Sequence, residues 1–421
     1  MSARINRRNF MQGTAATAGA ATIATTIADT IAMPAVAQSA PLKIGLMTVK
    51  TGPLAAGGIH MEEGFRAYLK SHDSKLGGRT VDLTVADTGG NPAGAKTKAI
   101  ELVERDKVDL VMGPFAAFEL LAILDYLAQN KMPTLAFAGA EDVTQRRGNP
   151  YLLRTSYTSA QGLYPLADYA LKELKGKRAV TMMDDFAFGY EECGGFQRAF
   201  EDGGGRVVKK LWSPLNTPDY VPYIAQIQDC DVVCQGLTGS NPLKFTKAYH
   251  ELGLKPQLLG GTTAADDTIM GGFGDEAIGL INSCPYTLDL DTEANRRFLA
   301  DMHKHAGPNV AIGTYAATSY LNGQVIEAAL QKTNGKSDDP SALIAAMRSV
   351  KLADTPRGPI SFDDHNNIVC PIYIRRVEKQ GGKMVNKTIK AYPAVSQFWT
   401  YDPKWFLAQP VYSRDYPPLK S

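Results

Sequence analysis

Several patterns of residues in this chain could support chemistry, and each of them lacks an essential part. A phosphate-binding loop would need a glycine in place of Leu330, ahead of Gly335-Lys336-Ser337. A zinc-binding helix would need a second histidine one turn after His250, and the chain has none there. His303 and His305 are two residues apart, so on a helix their side chains point to different faces. The sequence therefore predicts no cofactor and no metal site.

Two pairs of adjacent carboxylates, Asp184-Asp185 and Asp266-Asp267, are the remaining candidates for acid–base catalysis. Adjacent aspartates are more typical of turns and helix caps than of an acid–base couple. The chain also has no G-x-S-x-G pattern, which would place a nucleophilic serine on a sharp turn. The sequence therefore predicts a binding protein and not an enzyme.

The elements that would position a binding site alternate regularly between strands and helices. One series begins near residue 42 and a second near residue 160, and the two join near residue 157. Strands that alternate with helices of about 10–15 residues are typical of parallel sheets built from βαβ units. The sequence thus predicts an α/β fold with two doubly wound parallel-sheet lobes. The predicted strands span residues 42–47, 80–86, 109–112, 133–137, 178–183, 206–212, 231–235 and 257–259.

The loops that follow these strands are rich in glycine, alanine and small hydroxyl residues. In open α/β sheets, ligands bind beyond the carboxyl ends of the strands, where backbone amides and helix N-termini are available. Small side chains let a ligand approach the backbone closely. We therefore expect the binding site in a cleft between the lobes. Its loops would be residues 48–58, 113–118, 138–142, 184–188, 236–241 and 260–264.

Residues 1–37 are predicted to be an export signal and not part of the fold. Arg7-Arg8-Asn9-Phe10-Met11-Gln12 resembles the twin-arginine motif, and a stretch of low charge follows it. Ala35-Val36-Ala37 fits a signal-peptidase site, which would start the mature chain near Gln38. No cysteine precedes Cys193, so the sequence offers no lipid anchor at the cleavage point. These features predict a protein that is free in a Gram-negative periplasm.

The charge of the chain is nearly balanced, at +2 from 45 basic and 43 acidic residues. Removing residues 1–37 takes away three arginines and one aspartate and leaves no net formal charge. A balanced chain lacks the basic surface that nucleic acid or an anionic membrane requires, so neither is a predicted partner. No stretch of about 18 apolar residues occurs, so no transmembrane helix is predicted.

Six groups of short motifs are spread over nearly the whole mature chain. They are Lys43-Ile44-Gly45-Leu46 with Thr51-Gly52-Pro53-Leu54, Gly77-Gly78-Arg79 with Val85-Ala86-Asp87, Val111-Met112-Gly113-Pro114, Leu153-Arg154-Thr155 with Gln161-Gly162, Asp184-Asp185 with Phe188-Gly189, and Gly358-Pro359-Ile360-Ser361-Phe362-Asp363. In this order they resemble the periplasmic solute-binding proteins of the leucine/isoleucine/valine type, which feed ABC importers.

The resemblance implies a type I binding-protein architecture, with two lobes joined by three hinge crossovers. The lobes would close on a small-molecule ligand without chemistry, and the monomeric protein would present the ligand to an ABC permease in the inner membrane. The crossovers would lie near residues 156–158, 282–287 and 366–370. The first lobe would be residues 41–157 plus 286–366, the second 158–283 plus 367–385, and a tail at 386–421 would pack on the lobes.

Five cysteines in an exported protein leave at least one thiol without an internal partner. The resemblance puts Cys284 and Cys370 at the starts of neighbouring hinge segments. A disulfide between these two residues is one alternative, and separately buried thiols are the favoured one.

The expected site departs from the amino-acid binders of the family, which hold their ligand with hydroxyl groups and a carboxylate. Phe115-Ala116-Ala117 and Ala138-Gly139-Ala140 contain no hydroxyl. Thr262 stands where the resemblance places the acidic group. A buried ammonium group without a partner is strongly unfavourable. We therefore expect an α-amino acid to be disfavoured.

Aromatic side chains are expected to line the cleft in place of those polar groups. Phe115, Tyr157 and Phe188 would pack on a flat apolar ligand, whereas Phe118 is expected in a helix core. The backbone amides of Ala117 and Ala140 would then hold a carboxylate.

A phenol or hydroxyl group of the ligand is expected to be reached by His60, Thr238 or Thr262. The predicted ligand is an aromatic or other hydrophobic carboxylate. Branched-chain amino acids, short amides and urea remain alternatives within the same fold. A secreted cofactor-dependent enzyme and a ligand sensor for a separate signalling partner are the alternatives of other classes.

Overall fold

The computed structural model describes residues 40–227 and 229–420. The predicted export signal at residues 1–37 lies outside these described residues. Within them, no helix is both long and apolar enough to cross a membrane.

The first sheet has six strands. They are β1 (Leu42–Thr48), β2 (Lys75–Leu76), β3 (Arg79–Asp87), β4 (Leu110–Met112), β5 (Thr134–Ala136) and β6 (Leu152–Arg154). Their order is β2-β3-β1-β4-β5-β6, and every pair is parallel except the short β2–β3 hairpin. The helices between these strands are α1 (Ala55–Ser71), α2 (Pro92–Ile100), α3 (Ala117–Gln129) and α4 (Asp142–Gln145).

The second sheet has eight strands. They are β7 (Arg178–Asp184), β8 (Arg206–Ser213), β9 (Val232–Gly236), β10 (Gln257–Gly260), β11 (Ile281–Cys284), β12 (Ser361–Phe362), β13 (Ile368–Gln380) and β14 (Lys383–Val395). Their order is β12-β13-β11-β10-β9-β7-β8, with β14 on β13. Strands β7 to β11 are parallel, and β13 is antiparallel to β11 and β14. The helices between these strands are α5 (Leu163–Lys172), α6 (Ala187–Asp202), α7 (Val221–Ile224) and α8 (Asn241–Glu251).

After β11 the chain returns to the first sheet. Helices α9 (Glu293–Ala306), α10 (Thr314–Lys332) and α11 (Pro340–Arg348) share a hydrophobic core with β1 and α1. The close approach of α1 to α10 requires Gly64, because a Cβ atom there would lie 2.2 Å from the carbonyl oxygen of Ala316. The helices α9 to α11, which pack with the first sheet, therefore follow strands β7 to β11 of the second sheet in sequence.

The structure has the two predicted parallel α/β sheets, and each of the eight predicted strands overlaps an observed one. Local signals explain where elements begin. The Asn91 side chain, for example, accepts a hydrogen bond from the Gly94 amide at 2.8 Å and caps α2, which starts at Pro92. The long hairpin β13–β14 runs on to Val395, so residues 386–395, which we expected in the tail, extend the second sheet.

The remaining tail, residues 396–420, packs on helices of the second sheet through aromatic side chains. The Arg198 guanidinium on α6 lies within 6 Å of four of their rings, which is cation–π distance. These rings belong to Trp405, Phe406, Tyr412 and Tyr416. Arg146, which follows α4, donates to the carbonyl groups of Phe406 and Gln409. The tail thus contacts both halves of the molecule.

Arg357 joins the three segments that connect the sheets. Its buried guanidinium donates to the carbonyl oxygens of Thr155 and Ser156 after β6, at 3.0 and 2.8 Å. It also donates to the Pro285 carbonyl after β11, at 3.2 Å, and to the Cys370 sulfur in β13, at 3.2 Å. A hydrogen bond to Thr318 occupies the fifth N–H group, so the guanidinium is fully satisfied.

All five cysteines are free and buried. Cys284 and Cys370 are therefore separately buried thiols, which was the favoured alternative, and they form no disulfide. The Cys370 sulfur instead accepts the hydrogen bond from Arg357.

Replacing Arg357 with methionine should destabilise the protein strongly. Methionine fills much of the same space but leaves three buried carbonyl groups without donors, at about 1–3 kcal/mol each. We expect a loss of roughly 3 kcal/mol or more in the free energy of unfolding, measured by urea denaturation. Arg376→Met is the matched control, because Arg376 on β13 is exposed and pairs only with Glu378 at the surface. Equal stability of the two variants would contradict the role of Arg357.

Candidate functional site

A cavity lies between the loops at the carboxyl ends of the two sheets. Its volume is about 80 Å³, measured as the space open to the centre of a water molecule. This space holds several waters, since a single water needs about 10–15 Å³ by the same measure. We refer to it as the cleft cavity. The predicted site residues that line it are Phe115, Ala116, Ala117, Gly139, Tyr157, Phe188 and Thr238.

Aromatic rings form two opposed walls of the cleft cavity. On the side of the first sheet, the Phe115 ring lies 5.5 Å from Phe137 and 5.2 Å from Tyr315. On the side of the second sheet, Phe186 and Phe188 stack at 6.1 Å. The sequence analysis identified the rings of Phe115, Tyr157 and Phe188 and missed those of Phe137, Tyr315 and Phe186, which line the cavity too.

Phe118 lies where the two walls approach each other. We expected its side chain in a helix core, and it is only partly buried. Its ring meets Phe186 edge to face at 5.8 Å, so it makes a contact across the cleft.

The other predicted site residues lie behind the lining of the cavity. The carbonyl groups of Ala138 and Ala140 accept hydrogen bonds from the buried Arg154. Thr262 is fully buried and donates its hydroxyl to Glu192 at 2.6 Å. His60 on α1 is partly buried, and this burial lowers its pKa while the nearby Asp266 opposes the shift.

One carboxylate, that of Asp266, lines the cleft cavity. The inference that the site has no acidic group, drawn from Thr262, is therefore wrong. Asp266 Oδ1 accepts hydrogen bonds from the Thr268 amide at 3.0 Å and the Thr268 hydroxyl at 2.6 Å. Oδ2 accepts from the Thr314 amide at 3.0 Å, where α10 begins. Asp266 thus closes a turn with Thr268, one of the two roles expected for adjacent aspartates, and also accepts from the first residue of a helix distant in sequence.

The threonine hydroxyls that line the cavity all donate to acceptors of the protein. Thr238 donates to Asp184 at 2.6 Å, Thr263 to the Leu237 carbonyl at 3.0 Å, and Thr268 to Asp266. A hydroxyl group has one hydrogen, so each of these oxygens can only accept a further hydrogen bond. The predicted reach of Thr238 toward a ligand hydroxyl is compatible with this geometry, with threonine as the acceptor.

No lysine, arginine or histidine is among the described residues that line the cleft cavity. The same part of the chain contains no cluster of three or more histidine, cysteine or acidic residues arranged to hold a metal ion. The site can therefore offer an aromatic enclosure, backbone amides, the hydroxyls of Tyr157 and Tyr315, and a single carboxylate.

The model of the periplasmic binding protein family matches residues 41–383 of the chain. A curated relative, the Leu/Ile/Val-binding protein homolog 6 of Brucella melitensis, is 30% identical over 363 residues. The match covers 83% of this chain and 91% of the relative.

Two similar solved structures are solute binding proteins of ABC transporters from Rhodopseudomonas palustris. One, from strain BisB5 in complex with 3,4-dihydroxybenzoic acid, is 31% identical with a TM-score of 0.79. The other, in complex with benzoate, is 28% identical with a TM-score of 0.78. Each match covers 85% of this chain and 98% of the other.

Buried carboxyl groups accept hydrogen bonds from the loops of the second sheet. Glu192 accepts hydrogen bonds from the amide and hydroxyl of Thr262, and Asp184 from those of Thr238. Burial raises the pKa of Glu192 to about 8 and that of Asp184 to about 7, although these hydrogen bonds oppose the shift. Burial also raises the pKa of Glu191 to about 8, helped by the charge of Glu141.

These pKa values predict that the protein becomes less stable as the pH rises. The pKa of Glu192 increases on folding from 4.5 to about 8, so the folded protein binds more protons than the unfolded chain between these values. The free energy of unfolding must then decrease through that window. Glu192→Gln keeps the shape but does not titrate, so its melting temperature should fall less than that of the wild type between about pH 5 and pH 9.

The matched control is Glu251→Gln, at an exposed glutamate in α8. Its melting temperatures should follow those of the wild type at every pH. Parallel curves for the wild type and Glu192→Gln would show that Glu192 is not held protonated.

Proposed function

The chain belongs to the periplasmic binding protein family, and from this we propose that it captures an aromatic carboxylate for an ABC permease in the inner membrane. The observation that carries the proposal is the cleft cavity with aromatic walls on both sides. Phe115, Phe137 and Tyr315 form one wall and Phe186 and Phe188 the other, so a planar ring bound between them would contact aromatic side chains on both sides. Such contacts add about 0.5–1.5 kcal/mol per aromatic pair beyond the burial of area.

Backbone amides supply the donors for the carboxylate of the ligand. Ala117 and Gly139 line the cavity, and among the described residues their N–H groups have no hydrogen-bond acceptor. Ala117 is also the first residue of α3, where the helix dipole favours an anion. This arrangement supports a carboxylate held without any basic side chain, as the sequence analysis expected for Ala117.

The protein is proposed to act by closing around its ligand. The proposed hinge is made of the crossovers near 156–158, 282–287 and 366–370. The two lobes around it are those expected from the sequence. In the described structure Asp266 bonds to Thr314 and Phe118 meets Phe186 across the cleft, so both contacts would break on opening. A ligand held by both walls stabilises the closed form. This role requires no catalytic group.

A second candidate, an α-amino acid, is favoured by one observation. The Asp266 carboxylate is a possible partner for an ammonium group, which removes the penalty that disfavoured amino acids in the sequence analysis. The relative named as a Leu/Ile/Val-binding protein homolog is consistent with this candidate.

Binding of aromatic acids is the direct test of the proposed function. In isothermal titration calorimetry, we expect benzoate and its hydroxylated derivatives to bind the purified protein, and leucine and valine not to bind. Phe188→Leu removes one ring but keeps an apolar side chain, so it should weaken binding of aromatic acids by about 3- to 10-fold. Trp405→Leu, an aromatic change in the tail outside the cavity, is the control. Binding of leucine without any aromatic acid would establish the second candidate instead.

Export is proposed to follow the twin-arginine route, with cleavage after Ala37 and a monomeric mature protein in the periplasm. Replacing Arg7 and Arg8 together with lysine should prevent export from a Gram-negative host, because this route requires the arginine pair. Cell fractionation and mass spectrometry of the mature N-terminus measure the effect, with Arg4→Lys as the control. Unchanged export of the double variant would refute the proposed route.

A further inference from the structure

We propose that Glu191 on α6 positions the loop of residues 138–140, which follows β5, through a hydrogen-bond relay. In its neutral form the Glu191 carboxyl group donates to the Ser159 hydroxyl, and this hydroxyl donates to the carbonyl of Gly139, which lines the cleft cavity. Glu191 is a positioning residue, because it does not itself line the cavity. The inference rests on the proposed function, in which the Gly139 amide holds the carboxylate of the ligand.

Ser159 lies between the two groups that the relay connects. Its Oγ atom is 2.6 Å from Glu191 Oε2 and 3.1 Å from the Gly139 carbonyl oxygen. A hydroxyl has one hydrogen, so Ser159 cannot donate to both oxygens. If Oε2 carries a proton, both contacts are hydrogen bonds. If Glu191 is ionised, the carboxylate takes the Ser159 hydrogen, and the Gly139 carbonyl keeps only the Ser159 amide, at 2.9 Å.

The charges around Glu191 favour its neutral form. Two buried carboxyl groups, those of Glu141 before α4 and of Glu191, lie near one buried guanidinium, that of Arg154 on β6. One cation compensates one carboxylate, and a second buried negative charge is strongly unfavourable. Asp363, after β12, also acts on Arg154 and adds a further acidic group to the cluster.

The hydrogen bonds indicate that the proton lies on Glu191 and not on Glu141. Each Glu141 oxygen accepts from a nitrogen, Oε1 from the Ala160 amide at 2.7 Å and Oε2 from Gln145 at 2.5 Å. A proton on Glu141 would displace one of these donors. Glu191 Oε1 accepts from the Glu141 amide at 3.0 Å, but Oε2 faces a hydroxyl, which can accept. Burial raises the pKa of Glu191 to about 8, and the charge of Glu141 adds to this shift.

The relay completes the contacts that orient the loop of residues 138–140. Arg154 donates to the carbonyl groups of Ala138 and Ala140, and the relay engages the carbonyl of Gly139 between them. All three carbonyl oxygens are therefore bound behind the lining of the cavity. The N–H group of Gly139, which has no acceptor among the described residues, is left for the ligand.

Ionisation of Glu191 should weaken the binding of a carboxylate, because it removes a donor from this loop and adds a negative charge beside Glu141. The relay is complete while Glu191 is neutral. Its contribution to affinity is therefore present at pH 6 and is lost as the pH rises through about 8. Asp184 and Glu192 also have raised pKa values and titrate in the same window. The effect of Glu191 is thus the difference between the wild type and a variant that does not titrate at this position.

The test measures the affinity of the purified protein for benzoate by calorimetry between pH 6 and pH 9. Glu191→Gln keeps a donor toward Ser159 and an acceptor toward the Glu141 amide, but it does not titrate. We expect the wild type to lose about 3- to 10-fold more affinity than Glu191→Gln over this range. Ser159→Ala interrupts the relay, so it should bind about 3- to 10-fold more weakly than the wild type already at pH 6.

Infrared difference spectroscopy detects the proton without any ligand. The spectrum of the wild type minus that of Glu191→Gln should contain the C=O band of a protonated carboxyl group at pH 7, and this band should decrease as the pH rises through about 8. Glu251→Gln is the matched control, because Glu251 on α8 is exposed. It should give no such band and should bind benzoate as the wild type does at every pH. Melting curves check that the variants are folded.

The outcomes separate this inference from the proposed function. If Glu191→Gln is folded and loses affinity with pH as strongly as the wild type, the relay is overturned while the binding of aromatic acids stands. Absence of the carboxyl band at pH 7 overturns the neutral state of Glu191 in the same way. If neither benzoate nor its hydroxylated derivatives bind the wild type, the proposed function itself fails, and this inference fails with it.

Discussion

The buried guanidinium of Arg357 holds together the three segments that connect the two sheets, about which the lobes are proposed to close. It donates to all three segments that connect them, so none can shift without breaking hydrogen bonds that water does not replace. In the described part of the chain no carboxylate pairs with this charge, and carbonyl dipoles stabilise it instead. Because the cleft cavity is formed by loops from both sheets, its shape follows from this contact.

The two sides of the cleft cavity come from different sheets and differ in chemistry. The side of the first sheet carries a free amide at the start of α3, and the side of the second carries threonine oxygens whose hydrogens are already engaged. Buried carboxyl groups behind the loops of the second sheet explain why these threonine hydrogens are engaged. Asp184 and Glu192 take the hydroxyl hydrogens of Thr238 and Thr262, and these hydrogen bonds fix the direction of each loop. Groups that never touch a ligand thus determine what the cavity presents to it.

The two parallel sheets could be predicted from the sequence because they depend on local signals, whereas the extension of the second sheet to Val395 could not. Strand periodicity and helix caps such as Asn91 act within a few residues. Together these local signals predict both sheets. The site depends on contacts between distant residues. Asp266 was expected to be a turn or cap residue, but its partner Thr314 lies 48 residues away, so its place in the cavity could not be predicted. Tyr315 on α10 was missed for the same reason. Helix periodicity does not show that its ring packs on Phe115 in the wall of the cavity.

The free and buried thiols have a consequence for where the protein folds. None of the five cysteines is bridged, so the native state needs no oxidant and is compatible with a reducing compartment. Burial raises the pKa of each thiol. The reactive thiolate form is therefore scarce, also in an oxidising compartment. The stability of the fold therefore depends on no disulfide, and the proposed twin-arginine route would allow folding to be complete before export.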